Sequence, residues 1–199
     1  MQIKTFYNNP FQEACHVLSD NGTAVIIDCG AYTTLEERRI EQYLIEQQLT
    51  PIAHLLTHGH LDHVFGAKWL YTHYGLTPIL HPADEELFLS LNAQAALFGL
   101  PLNNEGLQLF TPLNDELILP MGLSFIHTPG HTPGGVCYRT SNILFTGDTL
   151  FQCGFGRTDL PGGDARLLYD SLKKLFKLPQ ETIVYPGHGY PTTIGDEKM

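Results

Sequence analysis

One short segment constrains this chain more than any other: positions 57–63, Thr-His-Gly-His-Leu-Asp-His, hold four side chains of the kinds that bind metals. His58 and His60 are two residues apart, so an extended backbone directs both imidazoles to the same side. Asp62 and His63 follow where the chain turns toward a helical pattern, which brings all four groups into one loop. A four-ligand cluster of this kind favours a metal site over a solvated turn. Imidazole and carboxylate ligands suit zinc, manganese and iron, and this set does not choose among them.

The cluster lies in a predicted strand-to-helix loop, and strand and helix patterns alternate through two halves of the chain. Apolar runs closed by Gly, Pro or polar residues predict strands at 23–27, 52–57, 76–80, 124–128, 135–140, 142–146 and 182–185. Apolar stripes at helical spacing predict helices at 34–48, 64–74, 82–98 and 164–176, and the connection 99–121 is expected to hold only short strands. The predicted fold class is α/β, with sheets covered by helices, in one domain over residues 1–199.

Three later loops each place one ligand-type residue beside glycine after a predicted strand: Pro129-Gly130-His131-Thr132, Thr146-Gly147-Asp148-Thr149 and Pro186-Gly187-His188-Gly189. One such loop alone indicates little, because a histidine near a turn is more often a surface or hydrogen-bonded residue. Open α/β architectures place their sites at strand ends on one edge of a sheet. We therefore expect these three loops and the 57–63 loop to meet at a single cleft.

The pattern His-x-His-x-Asp-His, followed in order by His131, Asp148 and His188, resembles the complete ligand set of the metallo-β-lactamase superfamily. The resemblance spans essentially the whole chain and implies a four-layer αβ/βα sandwich with a site for two divalent metal ions. Zinc is the expected metal, with iron or manganese as alternatives. The implied ligands are His58, His60 and His131 at one ion, Asp62, His63 and His188 at the other, and Asp148 bridging both.

The same resemblance implies hydrolysis through a metal-bound hydroxide, with His58, His60, Asp62 and Asp148 as the catalytic residues. Metal ions lower the pKa of bound water toward roughly 7 and polarise a carbonyl, which suits cleavage of an ester, thioester, lactone or lactam. Either Asp62 or a bound water is expected to relay a proton to the leaving group. Asp28, at the end of an early strand, matches a position where the family keeps an aspartate that contacts the metal ligands and not the metal. The alternative interpretation is that Asp28 is an ordinary turn residue.

The segment 149–164 resembles the glyoxalase II-like hydrolases, in which a basic residue after the bridging aspartate reaches toward the glutathione carboxylate. Arg157 takes that role by resemblance, and its alternative is a structural ion pair with Asp159 or Asp164. Tyr190 matches a glutathione-contacting tyrosine, and its alternative is packing beside the proline that follows it. The activity implied is hydrolysis of a thioester such as S-lactoylglutathione.

Other functions share parts of this pattern. Glutathione persulfide dioxygenase is the leading alternative, because it resembles this chain in fold and motif but uses one iron at positions matching His58, His131 and Asp148. A lactonase, a β-lactamase and a non-catalytic metal-binding protein are weaker alternatives, because the 149–164 segment matches the glyoxalase branch and every ligand position is present. The chain ends at Met199, so we expect no C-terminal helical domain of the kind that binds glutathione in longer glyoxalase II enzymes.

The net charge of −10 disfavours nucleic acid and anionic membranes as partners and favours a small-molecule thioester, such as a glutathione conjugate. The sequence shows no signal segment and no run of about eighteen apolar residues, so the expected location is the cytoplasm. The four cysteines lack disulfide or zinc-knuckle spacing and are expected to be buried or semi-buried free thiols. Oligomeric state is left open. The histidines outside the pattern are assigned to structure or surface: His16, His54, His73, His81 and His127.

Overall fold

The computed structural model describes residues 1–101, 107 and 109–198, and strands and helices alternate along most of that length. The strands are β1 (Gln2–Asn8), β2 (Glu13–Asp20), β3 (Thr23–Ile27), β4 (Thr50–Leu55), β5 (Pro78–Leu80), β6 (Thr111–Pro112), β7 (Ser124–His127), β8 (Val136–Thr140), β9 (Ile143–Gly147), β10 (Leu150–Phe151), β11 (Gly154–Phe155), β12 (Ile183–Pro186) and β13 (Thr192–Thr193). The helices are α1 (Thr34–Glu46), α2 (Leu61–Val64), α3 (Ala67–Tyr74), α4 (Glu85–Leu89), α5 (Leu91–Leu97), α6 (Ala165–Leu175) and α7 (Ile194–Glu197), with short 3-10 turns at Pro82–Asp84 and Pro120–Gly122.

The strands form two mixed sheets and a small hairpin of β10 and β11. The first sheet has the order β1-β2-β3-β4-β5-β6, antiparallel from β1 to β3 and parallel from β3 to β6. The second has the order β13-β12-β9-β8-β7, in which only β12 and β9 are parallel neighbours. In the first sheet β3 and β4 therefore run in one direction, as do β7, β9 and β12 in the second. The loops that leave these strands emerge at a common edge of each sheet.

Alternation of side chains along β2 shows how the layers are stacked. Val17 packs with Ile40 of α1 and Leu70 of α3, whereas Leu18, the next residue, packs with Tyr138 of β8 in the second sheet. Successive residues of a strand face opposite sides of the sheet. The first sheet is therefore covered by helices on one face and by the second sheet on the other.

The second sheet is covered in the corresponding way. Phe145 of β9 belongs to the cluster between the sheets, and the preceding Leu144 packs against Leu172 and Leu175 of α6. Each fully buried leucine contributes about 1.5–3 kcal/mol. The order of layers is helix, sheet, sheet, helix, which confirms the expected four-layer αβ/βα sandwich.

The sequence predicts one continuous helix over 64–74, and this is wrong. The structure has two helices there, α2 and α3, separated by Phe65 and Gly66. A Cβ atom on Gly66 would clash with the sulfur of Cys29. The glycine therefore lets the start of α3 approach the loop after β3 more closely than any other residue would.

The predicted 82–98 helix is also interrupted. It begins as a 3-10 turn and is divided into α4 and α5 at Ser90, whose hydroxyl donates to the carbonyl of Leu87 at 2.9 Å. Of the 99–121 connection, the structure shows the short β6, while positions 102–106 and 108 lie outside the described residues.

The strands predicted at 23–27, 124–128, 135–140, 142–146 and 182–185 are confirmed within a residue or two at each end. The strand predicted at 52–57 begins and ends two residues earlier, and β5 is shorter than the predicted 76–80. Neither β1 nor β2 was predicted. All four cysteines are free, as expected, but the expectation that all are at least partly buried is wrong for Cys153, which is exposed. Within the described ranges, no helix is long and apolar enough to cross a membrane.

Candidate metal centre

Seven ligand-type side chains converge at the edge where β4, β7, β9 and β12 end. The loop after β4 carries His58 and His60, and α2 carries the next two ligand-type residues. One further ligand-type residue follows each of β7, β9 and β12. The ligand atoms form three overlapping groups, each within 4.8 Å: His58-His60-His131, Asp62-His63-His188 and His58-His63-Asp148.

Asp148 lies between the first two groups. Its Oδ1 is 3.3 Å from Nε2 of His63, and its Oδ2 is 3.4 Å from Nε2 of His131 and 3.6 Å from Nε2 of His188. One carboxylate oxygen thus faces a histidine of each group, which is the arrangement a bridging ligand requires.

Asp28 and Thr57 fix the orientation of His58. Thr57 donates its backbone N–H to Oδ1 of Asp28 at 2.7 Å and its hydroxyl proton to Oδ2 at 2.8 Å. Because that hydroxyl has a single proton, its oxygen accepts from Nδ1 of His58, 3.0 Å away. The Nε2 atom of His58 then carries the free lone pair. Gly147, with φ of +47°, packs so closely on Thr57 that a side chain there would clash with the hydroxyl.

Three other rings are held in the same manner through Nδ1. His63 donates to Oδ2 of Asp28 at 2.9 Å, His131 to the carbonyl of Arg157 at 2.7 Å, and His188 to the carbonyl of Phe11 at 3.1 Å. When each ring is neutral, Nε2 is therefore its acceptor nitrogen, and it faces the other ligand-type groups. Hydrogen bonds of this kind set the tautomer and the orientation of metal-ligating histidines.

Buried atoms without partners test whether these residues fit a metal. Among the described residues, Nε2 of His58, Nε2 of His63 and Oδ1 of Asp148 are buried and make no hydrogen bond. An unsatisfied buried polar atom costs about 1–3 kcal/mol. Three such atoms in one group, with nitrogen and carboxylate donors of the types that bind zinc or iron, fit a divalent cation.

The protonation states of the site suit the same purpose. Burial, reinforced by the neighbouring His63, lowers the pKa of His58 well below its ordinary value, and burial beside His131 lowers the pKa of His60 to about 4. Burial opposes the charged form of Asp148 as well, but the adjacent His63 holds the pKa of Asp148 well below its ordinary value. At neutral pH two imidazoles are therefore neutral and the central carboxylate is ionised. Burial opposes the charged form of His63, but the carboxylates of Asp28 and Asp62 raise its pKa well above the ordinary value, so this ring has to release its proton when it binds a cation.

The model of the metallo-beta-lactamase superfamily matches residues 8–188. The chain belongs to this superfamily. It is 40% identical to hydroxyacylglutathione hydrolase GloC of Haemophilus influenzae, over all of this chain and 95% of that one. Crystal structures of TTHA1623 in a di-iron-bound form and of the BLEG-1 B3 metallo-beta-lactamase superimpose with TM-scores of 0.89 and 0.88, at 36% and 38% identity, each over 98% of this chain and 96% of theirs. At the level of the superfamily, the protein is a metallo-hydrolase whose His and Asp groups are able to bind metal.

In this metallo-β-lactamase fold, a cleft of about 550 Å³ opens beside the ligand-type residues. One part of its wall is formed by His60, Asp62, His131, Asp148 and His188. Most of the rest is apolar and includes Phe11, Leu87, Leu97, Phe98, Phe155 and Leu160. The ligand-type residues are therefore accessible to a small molecule, through a largely apolar entrance.

The two residues predicted to bind substrate lie apart from each other. Arg157 lines the cleft, but its guanidinium is bound to Asp159, Nε to Oδ1 at 2.6 Å and Nη2 to Oδ2 at 2.7 Å. The hydrogen bonds from Arg157 lower the pKa of Asp159 to about 2. Tyr190 is exposed and packs edge-on against Tyr7, with ring centroids 6.5 Å apart, outside the lining of the cleft. The structural alternative considered for Arg157 is thus the arrangement found.

Sequence reasoning missed two side chains that support the ligand loops of this superfamily member. The buried Asp84 accepts the backbone N–H of Gly59 at 2.9 Å and the hydroxyl of Thr132 at 2.7 Å. Gln94 of α5 accepts the backbone N–H of Leu61 at 3.0 Å and donates to the carbonyl of Gly59. Both lie in the segment predicted as one helix, where no motif marks a carboxylate or an amide as special.

The described histidines outside the motif belong to none of the three ligand groups. His16 is buried between the hydroxyl of Thr5 and the carbonyl of Pro186, and burial lowers its pKa to about 4. His54 is buried with neither ring nitrogen bonded to any described residue, and burial lowers its pKa to about 4 as well. Of the remaining three, His73 is exposed, whereas His81 and His127 are half-buried and their rings stack on each other.

Proposed function

We propose that this protein is a thioester hydrolase of the glyoxalase II type that acts with two divalent cations, zinc being the expected metal. The observation that carries the proposal is the pair of three-residue groups on either side of Asp148, both beside one cleft. His58, His60 and His131 would hold one ion, and Asp62, His63 and His188 the other. Residues 1–199 are proposed to act as one domain.

When bound by these residues, two divalent cations would supply a Lewis acid that lowers the pKa of bound water and would polarise the carbonyl under attack. Residues of the chain orient the ligands. Hydrogen bonds to Asp28 and to the carbonyls of Arg157 and Phe11 hold the rings of His63, His131 and His188 in place before substrate binds. Such pre-orientation removes reorganisation from the reaction step.

Asp62 is the proposed proton carrier. Its carboxylate lines the cleft, with Oδ2 at 3.2 Å from Nε2 of His188, and its side chain is only 14% exposed. A carboxylate at this position accepts a proton from the attacking water and passes it to the departing sulfur. A positioned acid–base group of this kind contributes roughly 10²–10⁴-fold to the rate.

The substrate proposal takes support from the relative named hydroxyacylglutathione hydrolase, which matches this chain along its full length. A thioester such as S-lactoylglutathione is the proposed small-molecule substrate. The similarity to BLEG-1, a B3 metallo-beta-lactamase, makes a β-lactam the competing substrate class that an assay has to include.

One experiment tests the proposal: metal content of the purified protein, measured together with turnover of S-lactoylglutathione, glutathione persulfide and a chromogenic cephalosporin. We expect two metal ions per chain and the highest kcat/KM for the thioester. One iron per chain with persulfide-dependent oxygen uptake would overturn the hydrolase in favour of a dioxygenase. A higher kcat/KM for the cephalosporin would overturn the thioester as substrate.

A further inference from the structure

The cleft carries a large apolar wall that no described residue covers. Leu97 of α5 is 77% exposed, Phe98 is 45% exposed, and Phe155 of β11 is 55% exposed, and all three line the cleft. Soluble proteins seldom leave several large apolar side chains exposed around one concave site unless a ligand covers them. The wall is therefore a candidate for contact with substrate.

Polar groups on the same wall are already engaged within the protein. The Ser90 hydroxyl donates to the carbonyl of Leu87 at 2.9 Å. The Gln94 amide accepts from the backbone of Leu61 at 3.0 Å and donates to the Leu87 carbonyl at 2.7 Å. These groups have little capacity left for a polar substrate, so the wall offers chiefly dispersion contacts and apolar burial.

The cation on the cleft lining is engaged too. Arg157 binds both carboxylate oxygens of Asp159 through two short hydrogen bonds. A substrate carboxylate would have to displace Asp159 from a bidentate geometry and would then face a second anion beside the same guanidinium. Although such an exposed pair is weak, Arg157 is not free to bind a carboxylate of the carrier in this structure.

Resting on the proposed hydrolase function, we propose that the substrate is a thioester with an apolar substituent, of the size of a phenyl ring or a short alkyl chain. This substituent lies against Leu97, Phe98 and Phe155. Selectivity among thioesters is then determined by the apolar substituent and not by the carboxylates of the thiol carrier. The apolar group belongs either to the acyl half or to the thiol half, and two series of substrates distinguish these sources.

In the first series the thiol is glutathione and the acyl group is lactoyl, butyryl or phenylacetyl. In the second the acyl group is acetyl and the thiol is mercaptoethanol or benzyl mercaptan, two alkyl thiols of similar acidity. Burial of a phenyl ring against the wall should raise kcat/KM about tenfold or more in one of the two series. An enzyme that hydrolyses lactoylglutathione but shows no rise in either series would overturn the inference.

A pair of matched variants locates the effect. Leu97→Gln places a polar group of similar length and good helix propensity on the wall, and Ile45→Gln does the same on exposed α1, away from the cleft. We expect Leu97→Gln to reduce the ratio of phenylacetyl to lactoyl kcat/KM at least threefold, or the benzyl to mercaptoethyl ratio if the thiol half is recognised. Ile45→Gln should leave both ratios unchanged. An unchanged ratio in Leu97→Gln would overturn the placement of the apolar group.

A binding measurement separates this inference from the function on which it rests. Calorimetry compares S-benzylglutathione with S-methylglutathione, two thioethers that cannot be hydrolysed, and we expect about tenfold tighter binding with a more negative heat-capacity change for the benzyl compound. Tighter binding of the benzyl compound, together with no turnover of any thioester, would overturn the proposed function and support the apolar site. Equal binding of the two thioethers, together with ordinary turnover of lactoylglutathione and no rise in either substrate series, would support the function and overturn the apolar site.

Discussion

Asp84 accepts a hydrogen bond from the hydroxyl of Thr132 at 2.7 Å, and the same carboxylate oxygen accepts the backbone N–H of Gly59 at 2.9 Å. Thr132 follows His131, and Gly59 stands between His58 and His60. One buried carboxylate therefore ties together the two loops that carry the first ligand group. The carboxylate comes from the 3-10 turn before α4, outside both loops.

Asp84→Ala should loosen both loops. It leaves buried donors of Gly59 and Thr132 without a partner, so we expect the free energy of unfolding of metal-free protein to fall by about 3 kcal/mol or more. Metal affinity should weaken about 10–100-fold, as for other losses of support behind ligands. Urea unfolding and competition with a chelator measure the two effects. Asp115→Ala, at an exposed aspartate, is the matched control; equal metal affinity in the two variants would contradict the role of Asp84.

Asp28→Asn should act on both ligand groups. The Asp28 carboxylate accepts from Nδ1 of His63, and an amide that turns its NH₂ toward the ring would favour the opposite tautomer. Nε2 of His63 would then carry the proton and lose its lone pair. The same NH₂ group would replace the acceptor of the Thr57 hydroxyl, which orients His58, so we expect both metals to bind about 10–100-fold more weakly. Stepwise metal titration checks this, with Asp170→Asn on exposed α6 as control. Two unchanged binding steps would argue against the role given to Asp28.

Asp62→Ala tests the proposed proton carrier. The variant removes a carboxylate of the second group and leaves His58, His60 and His131 intact. We expect thioester kcat to fall at least roughly 10²-fold, while circular dichroism and one bound metal per chain are retained. Residual turnover close to wild type would contradict the mechanism. Loss of fold in circular dichroism would instead show that Asp62 is needed for stability.

The convergence of these seven side chains could be predicted from the sequence, because four of them lie in one short segment and each of the others lies in a glycine turn after a predicted strand. The supporting residues were not readable, because each comes from a distant segment. The carbonyl of Phe11 is a backbone group, and any residue type would supply it. Asp84 and Gln94 act through hydrogen bonds to backbone and hydroxyl groups, and no local pattern records those partners.

The strand β2 was missed for a related reason. Buried strands are recognised by apolar runs, but β2 carries two polar residues that are buried, Glu13 at 0% and His16 at 3% exposure. Glu13 accepts the backbone N–H of Gly30, and His16 reaches the carbonyl of Pro186, so tertiary contacts compensate for what the sequence shows as polar interruptions. Polar residues that make these tertiary contacts therefore interrupt the apolar pattern by which β2 would have been recognised.

His54 should make the protein sensitive to acid. Burial lowers the pKa of His54 from 6.5 in the unfolded chain to about 4 in the folded protein. As pH falls, His54 therefore binds a proton in the unfolded chain before it does so in the folded protein. The stability present above pH 6.5 is lost as pH falls toward 4. The loss attributable to His54 is about 3 kcal/mol. Neither ring nitrogen bonds to a described residue, so His54→Leu should cost under about 1.5 kcal/mol at pH 7 and flatten the slope of unfolding free energy between pH 6.5 and 4 by about one proton. Urea unfolding at a series of pH values measures the slope. Exposed His73→Gln is the control, and a slope in His54→Leu as steep as in that control would refute the assignment.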